Sequence, residues 1–264
     1  MSLSDVYAKV RPACVGIAVR DGEPYSASPP KKGWLCLGSG ACIDPSGVVV
    51  TARHVVQGLC ARVDLSPQSQ TLETPPFEVL FTSVSDEGGH VTSAVAQSTW
   101  MPNDDSPTSD IAIIHLSLEE PRRFPSFRFP PTNEDLKEGD YVATVGYPIR
   151  SRADRDVFPN ISAGIVSRFR RGRDSNTGRG IIREIGLDLT VHGGNSGGPL
   201  FAASSGSLWG VVTSSYGPPE SNYGTNLSFA VTWPNIIAVW QAANGALIKR
   251  GMASRGSLAG PVSD

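Results

Sequence analysis

A short glycine-rich segment carries the residue types of a serine nucleophile. Gly193–Leu200 reads Gly-Gly-Asn-Ser-Gly-Gly-Pro-Leu and holds Ser196 within a run of glycines. A tight turn of this kind exposes a hydroxyl, and its glycines permit positive-φ backbone with no Cβ in the way of a substrate. Nearby backbone N–H groups that point at one spot would complete an acyl-transfer site. The alternative is a glycine-rich turn without chemistry, so a base is the next requirement.

The four histidines of the chain differ in how well they suit the role of that base. His54 follows an apolar strand-like segment and precedes further apolar residues. His90 and His115 fall in strand-like stretches, where a structural or an exposed histidine is expected. His192 lies four residues before Ser196, too close along the chain to serve easily as its base. We therefore predict that His54 is the base.

A serine–histidine pair also needs a carboxylate that orients the imidazole. Asp110 directly precedes the predicted strand Ile111–Leu116, and a residue at a strand end is held rigidly. Asp104 and Asp105 lie in a polar Pro-Asn-Asp-Asp-Ser-Pro loop and are expected to be solvated. Asp110 is therefore the predicted partner of His54.

The composition indicates which elements position these residues. The chain has 264 residues, of which 28 are glycine and 21 are proline, and 18% are charged. This abundance of turn-forming residues favours many short strands over long helices. A net charge of −2 gives no electrostatic reason to expect nucleic-acid binding. No apolar run approaches the roughly 20 residues of a membrane span.

The cysteines do not indicate a metal or redox site. Cys14, Cys36, Cys42 and Cys60 form no C-x-x-C pair, so a zinc ribbon or a thioredoxin-type site is not expected. Two disulfides and four buried free thiols are both compatible with these positions. No phosphate-binding loop or metal-ligand cluster occurs elsewhere in the sequence, so we expect no cofactor and no metal.

Strand-like segments recur on both sides of a proline-rich stretch, Glu119–Asn133, which we predict to be a linker. This pattern predicts two similar β-barrels or sandwiches, the first at residues 1–125 and the second at 126–250. A flexible tail at 251–264 would follow.

Helices are expected only near the two ends of the chain. Ser4 or Asp5 caps a short helix that Pro12 stops. A longer helix begins near Pro234, and its apolar residues recur at a helical spacing. Only this C-terminal segment reads as a long helix.

Three segments together resemble the active-site motifs of chymotrypsin-fold serine proteases. They are Thr51-Ala-Arg-His54, Ser109-Asp-Ile-Ala-Ile113 and Gly194-Asn-Ser-Gly-Gly-Pro199, in the order His, Asp, Ser that this fold uses. The chain is most similar to the HtrA/Deg branch, and the resemblance runs from about residue 4 to about residue 245. The segments that carry this finer likeness are Gly38-Ser-Gly40, Val145-Gly-Tyr-Pro148, Ser162-Ala-Gly-Ile-Val-Ser167, Asp188 and Leu227-Ser-Phe-Ala-Val231.

The resemblance implies an all-β fold of two antiparallel six-stranded β-barrels, a chymotrypsin-like double barrel with a short N-terminal helix and a C-terminal helix. It implies a serine endopeptidase in which His54, Asp110 and Ser196 are catalytic and a protein or peptide is the substrate. The backbone N–H groups of Gly194 and Ser196 would bind the oxyanion.

The resemblance also implies where the substrate pocket lies. Thr190 stands six residues before Ser196, where trypsins keep an acidic residue. We therefore expect a small or medium apolar residue before the scissile bond rather than Lys or Arg. The residues implied to line the pocket are Thr190, His192, Gly193, Ser214, Ser215 and Leu227.

The sequence departs from the HtrA/Deg branch in three respects. No module of PDZ size follows the C-terminal helix. Arg53 and His192 stand where small or amide residues are common, which affects the expected pocket. Six arginines between Arg168 and Arg183 fall in a segment that is a regulatory loop in that branch. We expect either a loop that regulates activity, with a regulatory protein as a candidate partner, or a solvated connection without function.

Two other functions stay open at this point. One is a catalytically weak, protease-fold module for binding or chaperone-like activity, and the other is a processing protease with a single protein target. Met1–Val10 lacks the basic start and apolar stretch of a signal peptide, so we predict a cytoplasmic protein. The sequence does not indicate an oligomeric state.

Overall fold

Most of the described chain consists of β-strands. The computed structural model describes residues 1–21, 33–62, 71–73, 75, 77–85, 88–103, 110–117, 123–131, 134–147, 158–173, 180–215 and 227–249. The predicted tail at 251–264 lies outside these residues.

The N-terminal half begins with a capped helix and continues in seven strands. Helix α1 spans Leu3–Val10, and the Ser2 hydroxyl accepts a hydrogen bond from the Asp5 N–H while the Asp5 carboxylate accepts one from the Ser2 N–H. The cap is thus Ser2, not the predicted Ser4 or Asp5. The following elements are a 3₁₀ turn (Arg11–Ala13), β1 (Cys14–Asp21), β2 (Gly33–Asp44), β3 (Val48–Thr51), α2 (Arg53–Arg62), β4 (Thr71–Glu73), β5 (Glu78–Ser85), β6 (Gly88–Trp100) and β7 (Ala112–Leu116).

The C-terminal half contains six strands and ends in a long helix. Its elements are β8 (Tyr141–Gly146), β9 (Asn160–Arg173), β10 (Gly180–Asp188), β11 (Pro199–Ala202), β12 (Leu208–Ser215), β13 (Leu227–Thr232) and α3 (Trp233–Lys249). Pro234 lies in the first turn of α3, as the sequence predicts.

The strands form two antiparallel barrels. The first barrel runs in the order β6-β5-β1-β2-β3-β7 and closes where β7 pairs with β6. The short strand β4 also pairs with β6, near the C-terminal end of β6. The second barrel closes in the order β10-β13-β12-β11-β8-β9. These barrels and the two terminal helices confirm the predicted all-β double barrel. The predicted boundary at residue 125 falls between β7 and β8, in irregular chain.

The largest apolar core lies between the barrels rather than inside either one. It joins buried residues of β3 and β7, such as Val50 and Ile113, to Val145 and Phe201 of the second barrel. Helices α1 and α3 pack on the same core, where Trp240 is fully buried. Burial of such large apolar side chains fixes the two barrels against each other, which matters for a site that takes residues from both.

Helix α2 was not expected. It is held by Val55, Val56, Leu59 and Cys60, which are buried at helical spacing against the interior of the first barrel. This packing outweighs the strand preference of the β-branched pair after His54. Among the described residues, none of the helices combines the length and apolar character that crossing a membrane requires.

Candidate active site

His54 stands at the start of helix α2, where the chain leaves strand β3. Two residues, Ala52 and Arg53, separate the end of that strand, Thr51, from His54, and the buried apolar face of α2 anchors the helix on the first barrel. The His54 side chain is 45% exposed, so one side of the imidazole is open to a substrate.

Asp110 binds His54 with both of its carboxylate oxygens. Oδ2 lies 2.8 Å from His54 Nδ1, and Oδ1 accepts the His54 backbone N–H at 3.0 Å. Asp110 lies two residues before the start of β7, and β7 pairs with β3, the strand that leads to His54, so the two residues come from neighbouring strand ends. This arrangement places the proton of a neutral imidazole on Nδ1 and leaves Nε2 as the basic nitrogen. The predicted pairing is therefore present in the structure.

Ser196 lies in a turn whose backbone needs glycine. The Asn195 N–H donates to His192 O at 3.0 Å, and Gly194, the third residue of that turn, has a φ of 96°. Gly197 has a φ of 85°, and a Cβ there would overlap Ser39 O and the Thr51 hydroxyl. Neither position tolerates a side chain without strain.

The turn presents free donors next to Ser196. In the part of the chain that the structure describes, the N–H groups of Gly194 and Ser196 donate to no backbone carbonyl. The two neighbouring N–H groups are occupied, since Asn195 bonds to His192 O and Gly197 bonds to Val212 O at 2.7 Å. The two unoccupied donors are those that the resemblance implies for an oxyanion.

The structure does not join all three predicted catalytic residues by hydrogen bonds. Gly197 contacts Thr51 and Ala52, so the serine turn lies against the segment that leads into His54. However, among the hydrogen bonds of the described residues, none links the Ser196 hydroxyl to the His54 imidazole. The His54–Asp110 pair is formed, and the turn of Ser196 lies against Thr51 and Ala52, without a hydrogen bond from Ser196 to the pair among the described residues.

The residues predicted to line the substrate pocket surround one end of the second barrel. Thr190, His192 and Gly193 are exposed in the segment before the serine turn. The buried Ser228 hydroxyl donates to Leu189 O at 3.2 Å and so ties β13 to that segment. The backbones of Ser214 and Ser215 in β12 and of Leu227 in β13 run alongside, and their side chains lie outside the described residues.

Two residues near the serine were missed as site residues in the sequence. Ser39 is fully buried, and its hydroxyl donates to Gly194 O at 2.6 Å. Asn195 is 1% exposed, and neither Oδ1 nor Nδ2 of its amide has a hydrogen-bond partner. The only signal in the sequence was the Gly38-Ser-Gly40 segment, which indicates a tight fit but not its distant partner.

The other candidate acids and bases lie elsewhere or outside the described residues. His115 is buried in β7, and this burial lowers the pKa of its imidazole. Asp104, Asp105 and the side chain of His90 are outside the described part of the chain. Among the described residues, no group of three or more potential ligands is arranged to hold a metal ion.

The described arginines of the β9–β10 hairpin make contacts within the second barrel. Arg170 forms an ion pair with Glu184 at 2.8 Å, and the Arg168 guanidinium lies 5.3 Å from the centre of the Phe229 ring. The connection at 174–179 lies outside the described residues. Among the described arginines of this cluster, the charge of Arg170 is therefore paired with that of Glu184, and Arg168 contacts an aromatic ring.

Comparison with known proteins places this geometry in a family. Residues 38–211 match the model of the trypsin-like peptidase domain. A probable periplasmic serine endoprotease, DegP-like, from Rhizobium meliloti (strain 1021) is 30% identical over 221 residues, which cover 84% of this chain and 35% of the relative. The chain spans little more than a third of the length of the curated relatives it matches.

Two solved structures share the fold. Deg5 superposes with a TM-score of 0.56 at 22% identity and covers 89% of this chain and 90% of its own. The HtrA-type protease AlgW with decapeptide has a TM-score of 0.57 at 18% identity and covers 95% of this chain and 69% of its own. These two matches show the shared fold, and the names of the DegP-like relatives agree with the predicted resemblance to the HtrA/Deg branch.

The same relatives correct the prediction of a cytoplasmic protein. They are named periplasmic, so that prediction is wrong. It rested on the missing signal-peptide features of Met1–Val10, but a leader is removed from a mature exported protein and its absence does not report the compartment. The matched residues 38–211 contain His54, Asp110 and Ser196. The chain belongs to the trypsin-like peptidase domain family.

Proposed function

We propose that the protein is a serine endopeptidase that cleaves peptide bonds in protein substrates through His54, Asp110 and Ser196. The observation that carries the proposal is the pair of hydrogen bonds that the Asp110 carboxylate accepts from the ring and the backbone N–H of His54, at 2.8 and 3.0 Å. A carboxylate that accepts hydrogen bonds from both the ring and the backbone of a half-exposed histidine suits general-base catalysis.

The reaction would proceed in two halves. Ser196 Oγ forms a bond to the peptide carbonyl carbon while its proton passes to His54 Nε2. The imidazolium then gives this proton to the leaving amine as the C–N bond breaks, which leaves an acyl-enzyme. Water repeats the sequence and releases the acid. Asp110 keeps the imidazole in the correct tautomer and stabilises the imidazolium.

The N–H groups of Gly194 and Ser196 would stabilise the negative charge on the carbonyl oxygen. Their lack of backbone partners in the described chain supports this role, since a donor already engaged could not bind an oxyanion. Removal of one such donor typically lowers kcat by roughly 10²- to 10³-fold.

Substrate choice would follow from Thr190 and the adjoining strands. A threonine supplies no charge for Lys or Arg, so the pocket of Thr190, His192, Gly193, Ser214, Ser215 and Leu227 would accept a small or medium apolar residue. AlgW was solved with a decapeptide, which supports an extended peptide as the ligand class. A preference for Lys or Arg in a positional peptide library would contradict this pocket assignment.

The proposal also covers how activity is regulated and where in the cell the protein acts. The segment between β9 and β10, with its arginines, would act as a regulatory loop that responds to a protein partner. The names of the relatives support action in the periplasm. One observation favours a binding module instead: no hydrogen bond of the described residues joins Ser196 Oγ to His54.

Labelling with a fluorophosphonate probe distinguishes the two functions. The probe reacts with a serine hydroxyl that a base has activated, so we expect covalent labelling of the wild-type protein and none of Ser196→Ala. Ser46→Ala, which removes an exposed hydroxyl in a distant hairpin turn, is the matched control and should be labelled like wild type. We also expect Ser196→Ala to lower peptide turnover by roughly 10⁴- to 10⁶-fold with the fold intact. A wild-type protein that resists the probe would favour the binding module.

A further inference from the structure

Ser39 of the first barrel holds the serine turn of the second barrel. It lies in β2 and is fully buried. Its hydroxyl donates to Gly194 O at 2.6 Å, and its backbone N–H donates to Ser196 O at 2.8 Å. One residue therefore binds the carbonyl groups of both residues whose N–H groups are the proposed oxyanion donors.

The direction of the Ser39 hydroxyl is determined by a third partner. The backbone N–H of Tyr147 donates to Ser39 Oγ at 2.8 Å. A serine hydroxyl has a single hydrogen, and with this N–H occupying a lone pair the hydrogen is directed to Gly194 O. The chain from Tyr147 N–H through Ser39 to Gly194 is thus polar, buried and satisfied at each step.

Ser39 is also connected to the segment that carries the base. Its carbonyl accepts the Thr51 hydroxyl at 2.6 Å, and Thr51 ends the strand that precedes His54. The hydroxyl, N–H and carbonyl of Ser39 therefore link the serine turn to the histidine strand through one buried residue.

The serine turn's own backbone hydrogen bonds involve other groups, since the Asn195 N–H donates to His192 O and the Gly197 N–H donates to Val212 O. Asn195 is the residue between the two proposed donors, and neither the oxygen nor the nitrogen of its buried side-chain amide makes a hydrogen bond. Gly194 and Gly197 have no side chains and lie at positive φ, a conformation that glycine enters and leaves at low cost. Among the described residues, the bonds from Ser39 are those made to the carbonyls of the two donor residues, Gly194 and Ser196.

We propose that Ser39 is a positioning residue that orients the oxyanion-binding N–H groups of Gly194 and Ser196 through their carbonyls. The proposal rests on the proposed serine-peptidase function. Ser39 touches neither substrate nor reacting atoms. Its loss leaves Gly194 O and Tyr147 N–H buried without partners, and the turn gains freedom to rotate away from the orientation that the transition state needs.

The test compares kcat and KM of wild type, Ser39→Ala and Ser39→Thr on a peptide p-nitroanilide with valine before the scissile bond. We expect Ser39→Ala to lower kcat roughly 10- to 100-fold with KM changed by less than about threefold, because the lost interaction acts in the transition state. The inhibition constant of a valine boronic acid peptide, whose oxygen occupies the oxyanion site, should rise by a similar factor. Ser39→Thr keeps the hydroxyl and should recover most of the activity.

A matched control separates positioning from general loss of stability. The Thr232 hydroxyl, like that of Ser39, is buried, donates to a backbone carbonyl (Ile182 O, 3.1 Å) and accepts one bond (from Asn235 Nδ2, 2.8 Å). Thr232→Val removes the same number of hydrogen bonds and should lower Tm comparably while kcat and boronate affinity stay at wild-type values. If Ser39→Ala does not fold, Ser39→Cys keeps the shape with a weak donor, and a folded Ser39→Cys with wild-type kcat would overturn the proposal.

The outcomes for Ser39 and for the proposed function are distinguishable. A wild-type protein that neither reacts with fluorophosphonate nor cleaves the peptide contradicts the peptidase itself. An active wild type with a folded Ser39→Ala variant whose kcat and boronate affinity lie within twofold of wild type leaves the peptidase in place and refutes the role of Ser39.

Discussion

The histidine side and the serine side of the site are held in different ways. His54 and Asp110 both belong to the first barrel and bind each other through two hydrogen bonds. The turn of Ser196 belongs to the second barrel and is held at its carbonyls by Ser39 of the first. His54, the proposed base, is therefore fixed within one barrel, whereas the position of Ser196, the proposed nucleophile, depends on how the two barrels pack together.

This difference shows which part of the site is open to adjustment. A small shift of one barrel against the other would change the separation of Ser196 and His54 and leave the His54–Asp110 bonds intact. The apolar core between the barrels, with Trp240 and Phe201 fully buried, opposes such a shift. Substitutions on the histidine side and on the serine side are therefore expected to lower activity for different physical reasons.

The largest effect is expected on the histidine side, from Asp110→Asn. An amide replaces the carboxylate with little change of shape, but its NH₂ group donates to Nδ1 and forces the proton onto Nε2, so His54 no longer accepts a proton from Ser196. We expect kcat on the peptide p-nitroanilide to fall roughly 10³- to 10⁴-fold. Circular dichroism and thermal unfolding should show the double barrel intact.

Asp140→Asn is the control for this change. Asp140 accepts a backbone N–H, that of Lys137, at 2.7 Å in a turn before the second barrel, so the variant has the same loss of charge away from the site. It should keep wild-type kcat. An Asp110→Asn enzyme within tenfold of wild type would show that the paired carboxylate is structural.

A second prediction concerns the contact between the barrels and uses two glycines of similar φ. Gly197 and Gly139 have φ values of 85° and 91°, so alanine costs roughly 1–2 kcal/mol in backbone strain at either position. A Cβ at Gly139 meets nothing within 4 Å, whereas one at Gly197 overlaps Ser39 O and the Thr51 hydroxyl. Urea unfolding should therefore show Gly197→Ala to be less stable than Gly139→Ala by a further 1–3 kcal/mol or so.

Peptide cleavage by the same two glycine variants should also differ. Gly197→Ala separates the serine turn from the strand that leads to His54, so peptide cleavage should be abolished, while Gly139→Ala should cleave normally. Equal stability and equal activity of the two variants would mean that the second barrel tolerates movement of its serine turn, contrary to the contact described.

Local patterns predicted strands on both sides of a linker, and the resemblance to chymotrypsin-fold proteases implied the double barrel. The predicted strand Ile111–Leu116 agrees with β7 to within one residue. Helix α2 was missed because Val55 and Val56 favour a strand locally, and only their burial against the first barrel, with Leu59 and Cys60, selects a helix. Tertiary packing decided that element, and a single sequence does not display tertiary packing.

For the candidate site too, part could be predicted from the sequence and part could not. The motifs predicted His54, Asp110 and Ser196, and the His54–Asp110 bonds follow from strands that pair as neighbours. The role of Ser39 was not readable, because its hydroxyl meets Gly194 across 155 positions of sequence and across two barrels. Contacts of that range exist only once both barrels have folded.

The smallest expected effect contrasts two histidines of the first barrel. The side chain of His54 is 45% exposed, whereas His115 is 9% exposed and burial lowers its pKa. In the unfolded chain His115 takes up a proton near pH 6.5, before the folded protein does, so falling pH should reduce the free energy of unfolding through this residue. The measurement is the midpoint of urea unfolding at pH 7.5 and pH 5.5 for wild type and His115→Gln, where the variant should lose less stability on acidification than wild type. Parallel losses in the two proteins would show that the buried imidazole is protonated in the folded state as readily as in the unfolded chain.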